Sequence, residues 1–204
     1  VIPPFYGQWE SADRIGDILA GTLEPEEDPL WPRSGARDAA DYARWAEHLC
    51  GMACIRMALA ARGLDPPALF ELARACARHG GYVEEADGNI RGLIYAPAIA
   101  WLRAEWNIAA EIILDSPAES IPGLLQGGHL LLASVHPWIR WPDRMPPTRG
   151  GHLVLVFAAE DGTIRFNNPS GDTPQAQHGA GMPIASFARF YAGRGVRLRG
   201  ARAD

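Results

Sequence analysis

Lysine is missing from all 204 residues, so the 19 basic side chains are all arginine, and Schiff-base or serine/lysine chemistry has no amine to use. Cysteine is scarce, with three residues at 50, 54 and 76. An odd number without dense spacing does not make a disulfide framework, and reduced thiols in a cytoplasmic setting fit this usage best. No apolar run reaches the roughly 18 residues that span a bilayer, since even Leu130 to Val135 stops at His136-Pro137. The opening Val1-Ile-Pro-Pro has neither the basic nor the apolar region of a signal peptide. There is no basic stretch interleaved with aromatics, and the formal charge is −5, which argues against a nucleic-acid partner. No phosphate-loop pattern is present.

What is present suits a folded protein. The chain is 48% hydrophobic and 21% charged, and its length supports one domain whose core needs neither metal nor disulfide. Residues 1–44 are rich in proline, acidic groups and turn formers, and they read as a wrapping arm. From Ala39 to Arg62 apolar residues recur at helical spacing, and two helical pieces broken near Cys50-Gly51 are expected. Pro67 to Arg78 and Tyr95 to Trp106 read as further helices. The second half changes period. Ile112 to Leu114, Leu130 to Val135, Leu153 to Ala158 and Thr163 to Phe166 read as strands, and Asp161-Gly162 is a strong hairpin signal. Short helices are expected over Ser116 to Gln126 and Ser186 to Tyr191. The fold class is α+β, helices packed on a mostly antiparallel sheet.

Chemistry concentrates in two blocks. Cys50-Gly51-Met52-Ala53-Cys54 begins a helix, where free backbone N–H groups and the helix dipole favour a thiolate at Cys50. Cys54 lies one turn on and is expected to be buried and inert. Gly150-Gly151-His152 leads into an apolar strand, and the Asp161-Gly162 turn brings Asn168 back near His152. A thiol, an imidazole and an orienting amide are the parts of a Cys-His-Asn triad. His48 stands too close along a helix start to serve as the base, and His136 lies at a strand end. His79, His129 and His178 have no partner pattern. A zinc site is the rival, but Cys-x₃-Cys lacks a matching second pair, so no metal is assigned.

The segments Cys50-Gly51-Met52-Ala53-Cys54, Gly151-His152-Leu-Val-Leu-Val and Asn167-Asn168-Pro169 resemble the motif blocks of the C39-like peptidases, a papain-like family. Met52 stands where that family often has Pro, and Asn168 where it more often has Asp. The resemblance implies a single papain-like domain over 1–204 that hydrolyses a peptide or related amide through a thioester, with no cofactor. Transfer of the acyl group to an amine, or a non-catalytic peptide-binding module, are the alternatives. It also implies a glutamine in the oxyanion hole, and Tyr6-Gly7-Gln8-Trp9 resembles the segment that carries it. Gly51, Gly151, Trp138 and Trp141 are the candidate substrate contacts.

These readings make a geometric expectation. Cys50 should open the longest buried helix, His152 a central antiparallel strand, and Asn168 should orient its ring. The sulfur should lie within about 3–4 Å of an imidazole nitrogen, with Gln8 approaching from the other side.

Overall fold

A computed structural model describes residues 2–200. The arm winds through short 3₁₀ turns and helix α1 (Ile15–Ala20) before α2 (Ala39–Ala46), whose N-cap Asp38 accepts a 2.8 Å hydrogen bond from the Asp41 N–H. Buried Asp28 fastens the arm: its carboxylate accepts from the Ser11 hydroxyl and N–H, the Leu30 N–H and the Tyr42 hydroxyl on α2. Helices α3 (Cys50–Ala60), α4 (Leu69–Arg78) and α5 (Tyr95–Trp106) follow, with a small hairpin of β1 (Tyr82–Glu84) and β2 (Ile90–Gly92) between the last two.

The remaining elements build the sheet. Strand β3 (Ala110–Ile113), helix α6 (Ile121–Leu124), β4 (Leu130–Val135), β5 (His152–Glu160), β6 (Thr163–Asn167), α7 (Pro174–Gln177), β7 (Ala180–Pro183), α8 (Ile184–Phe187) and β8 (Tyr191–Leu198) follow in order. The six sheet strands stand in the order β3-β8-β4-β5-β6-β7, every neighbouring pair antiparallel. Asp161 and Gly162, with φ of 49° and 72°, make the tight turn between β5 and β6 that their sequence predicts.

Alternation along the strands divides the core in two. Leu132, Leu153, Leu155, Val196 and Leu198 face α3 and the other large helices, while Leu131, Ala133, Val135, Val154 and Val156 face the layer that contains Phe187. Each of these leucines and valines contributes roughly 1.5–3 kcal/mol by leaving water, so a one-residue slip of β5 would reverse both faces at once. Helix α3 can lie this close to the sheet because Gly51 has no side chain: a β-carbon there would stand 2.8 Å from Leu153 Cδ1 and 3.0 Å from Leu93 Cβ. Cys54 completes the contact by donating its S–H to the Leu153 carbonyl at 3.5 Å.

Cys50 opens α3, the longest of the largely buried helices; α5 is one residue longer but buries only Ala98, Trp101 and Leu102. The helical break falls at Glu47 to Leu49, adjoining Cys50. One expectation needs correction. The stretch Ser186 to Tyr191 is not one short helix, because Tyr191 already begins β8, a strand in the middle of the sheet. Its Gly195 lies against β4 so tightly that a β-carbon would collide with the Leu132 carbonyl, and this close approach explains a strand that looks too glycine-rich to be one. Among the described residues, no helix is long and apolar enough to cross a membrane.

Candidate active site

The start of α3 and the start of β5 meet at one cavity of about 390 Å³, lined by Cys50, Leu93, Tyr95, Ser134, His152 and Arg194, with Gly92, Gly151 and Leu153 completing it. Its two chemical walls are built differently.

His152 is the ordered wall. Leu153 turns into the core beneath α3, so its neighbour His152 turns to the opposite side of the strand, towards the loop after β6. There its Nε2 lies 2.8 Å from Asn168 Oδ1 and 3.1 Å from Ser170 Oγ. The amide orientation of Asn168 is set independently, because Oδ1 also accepts from the Ser170 backbone N–H at 3.1 Å. Nε2 must therefore carry the proton it donates to Oδ1, which leaves Nδ1 with a free lone pair. Arg140 donates to Ser170 Oγ at 2.8 Å, and Trp141 Nε1 donates to Asp172 Oδ2 at 2.7 Å, so the loop is held from the β4 side. From the other side the arm holds it. The Gln8 N–H donates to the Pro169 carbonyl, Asn167 Nδ2 to the Pro3 carbonyl, and Gln177 Nε2 to the Ala12 carbonyl.

Burial pushes the His152 imidazole down to about 4. The Asn168 hydrogen bond acts the other way, and the nearby Arg140 charge adds to the depression. The ring is therefore neutral at pH 7.

Cys50 is the sparse wall. Its sulfur sits over the N-terminus of α3, facing the backbone N–H groups of Leu153, Gly51 and Cys50 itself. Those donors favour a thiolate, yet burial outweighs them and raises the thiol above its ordinary value. Desolvation thus works against the thiolate that the helix start favours. The His152 Nε2 is taken up by the Asn168 loop, and Nδ1 is the ring nitrogen left free for the sulfur that lines the same cavity. Cys54 and Cys76 are buried, and burial raises both thiols, Cys76 to about 12.

Gln8 is buried beside this site, but its amide faces the α2–α3 junction: Nε2 donates to the Ala46 and Glu47 carbonyls, both at 3.3 Å, and Oε1 has no partner. The free atom is an acceptor, so Gln8 at rest braces the chain just before Cys50 and does not offer a donor to the cavity. Gly151 lines the cavity as expected, with a left-handed φ of 95°. Gly51 does not line it, and its absent side chain serves the packing of α3. Trp138 and Trp141 lie outside the cavity, with the Arg144 guanidinium over both rings. Sequence reasoning missed Ser170, Arg140, Tyr95, Ser134 and Arg194. Only Ser170 had a local signal, as the hydroxyl two residues after Asn168 in a turn. Among the described residues, no group of three His, Cys, Asp or Glu side chains is placed to hold a metal.

No family model matches the chain, and no curated protein matches it in sequence. Solved structures match it in three dimensions. A C39-like peptidase from Bacillus anthracis superposes with a TM-score of 0.54 at 12% identity, covering 77% of this chain and 90% of that one. The peptidase domain of Streptococcus ComA, a bi-functional ABC transporter involved in a quorum sensing pathway, gives 0.51 at 12% identity, covering 76% and 93%. The fold is that of C39 peptidase domains. The likeness is one of architecture, and it agrees with the papain-like α+β class that the sequence resemblance implied.

Proposed function

We propose that this chain is a cysteine peptidase or amidase in which Cys50 is the nucleophile, His152 moves the protons and Asn168 orients the imidazole. The observation that carries the reading is the His152–Asn168 hydrogen bond at the mouth of the cavity that Cys50 also lines. It leaves Nδ1, the nitrogen that must act as base, unprotonated.

In this mechanism the sulfur attacks the substrate carbonyl carbon as its proton passes to His152 Nδ1. The C–N bond then breaks, Nδ1 returns the proton to the leaving amine, and a thioester on Cys50 remains. Water attacks the thioester, giving its proton to Nδ1, and the acid leaves as the thiol is restored. The resting pair is neutral thiol and neutral imidazole, so proton transfer accompanies attack. The sulfur–imidazole contact closes when substrate enters, as catalytic contacts that are loose at rest commonly do. Oxyanion donors come first from the backbone N–H groups at the start of α3. Gln8 joins them only by exchanging its two 3.3 Å bonds.

A second reading, a peptide-binding module without turnover, is consistent with burial raising the Cys50 thiol. Incubating a synthetic peptide library with the protein and with Cys50→Ala, and reading products by mass spectrometry, separates the two. The peptidase reading requires cleavage that the variant lacks, and an uncleaved library would leave only the module. An added amine that appears in the products would mark acyl transfer to an amine in place of hydrolysis.

A further inference from the structure

One cation in the cavity has no counter-charge. Arg194, on β8, lines the cavity with Cys50 and His152, is exposed to solvent, and among the described residues forms no salt bridge; its polar neighbour is the Tyr95 hydroxyl. The other arginines nearby are occupied: Arg140 by Pro137 and Ser170, and Arg144 by the two indole rings. Two hydroxyls converge on Arg194. Ser134 on β4 and Tyr95 at the start of α5 both line the cavity, and the Tyr95 hydroxyl faces Ser134 and Arg194. Gly150 keeps this corner open. Its φ is 89°, and a β-carbon on it would stand 3.2 Å from both the Arg194 guanidinium and the Ser134 hydroxyl.

We infer that Arg194, Ser134 and Tyr95 form a subsite for a carboxylate of the substrate, presented beside the bond that Cys50 attacks. A guanidinium offers a planar fork of donors that a carboxylate accepts in two parallel hydrogen bonds, and the two hydroxyls can serve its remaining lone pairs. A neutral peptide would leave the guanidinium in the cleft without its match. No acidic side chain lines the cavity to repel a carboxylate. This inference rests on the peptidase reading for its place beside a scissile bond. It does not rest on that reading for the binding itself.

The test uses four octapeptide libraries of equal length and matched composition. Two contain Asp and Glu at the randomised positions and two replace them by Asn and Gln, each pair made with a free or an amidated C-terminus. Cleavage by the full chain is followed by mass spectrometry, and binding is read by retention on immobilised Cys50→Ser protein. A carboxylate should raise cleavage and retention by about two- to fivefold, the range of an ion pair at an exposed guanidinium. Preference for the acidic libraries assigns a side-chain carboxylate, and preference for free C-termini assigns the terminal one. Arg194→Gln should erase the preference, and Arg194→Lys should keep part of it, since the charge stays and the fork is lost. Cleavage with no charge preference, or a preference that survives Arg194→Gln, would overturn the subsite and leave the peptidase standing. Charge-selective retention without cleavage would keep the subsite and remove the peptidase, while neither retention nor cleavage would remove both.

Discussion

The two walls of the cleft are prepared to different degrees. On one side, His152, Asn168, Ser170 and Arg140 form a continuous hydrogen-bonded group, braced by the arm and by the segment after β4. On the other, the Cys50 sulfur faces backbone N–H groups, while burial raises its thiol. Under the proposed mechanism, the contrast means that the base is organised before substrate arrives, whereas the nucleophile is activated by arrival. A neutral resting pair avoids the desolvation that a thiolate and an imidazolium would meet in this buried site.

Substitutions can break the contrast in order of size. Replacing His152 by Ala removes the base itself, and turnover of a cleaved library peptide should fall by about 10²–10⁴. Asn168→Ala leaves the ring in place without its acceptor, and kcat should fall about ten- to hundredfold with KM little changed. An Asn168→Ala enzyme with unaltered kcat would show that the hydrogen bond positions nothing. Ser170→Ala acts through Asn168 and Arg140, and a loss of about two- to tenfold in kcat/KM is expected.

The pH profile sharpens the same comparison. Because the folded His152 is held at about 4, the acid limb of kcat/KM should fall near that pH and not near the ordinary imidazole value of about 6.5. Asn168→Asp keeps the acceptor, removes the buried Nδ2 that has no partner, and adds a negative charge, so it should move the acid limb upward. An unmoved limb would show that a different group sets it. Stability carries the matching sign. The folded ring stays neutral where the unfolded one protonates, so its contribution is complete above about pH 6.5 and is lost as pH falls towards 4. Urea midpoints for wild type and His152→Gln should converge on the acid side of that window and part on the neutral side.

Much of this architecture can be read from residue order. Helices α4 and α5 follow their apolar spacing to within two residues, and the β5–β6 hairpin follows from Asp161-Gly162. The His152–Asn168 contact follows from that hairpin, because a local turn determines which residues can meet. Strand β8 is hidden because its glycines serve approach to β4 and lower its strand character. The cavity corner is hidden for a related reason. Tyr95, Ser134 and Arg194 come from a helix start and two strands distant in sequence, and nothing local joins them. The charge state of Cys50 is illegible for a third reason. A helix start is visible in sequence, whereas burial, which acts against it, is a property of the packed whole.

Limited iodoacetamide labelling of the folded chain, mapped at Cys50, Cys54 and Cys76 across pH, tests the central claim most directly. A half-buried nucleophile protonated at rest should take the label at Cys50 alone, slowly at neutral pH and faster as alkaline pH forms the thiolate. Label at Cys76 with Cys50 untouched would contradict the assignment of the nucleophile, and rapid, pH-independent labelling of Cys50 from pH 5 to 8 would contradict the neutral resting pair.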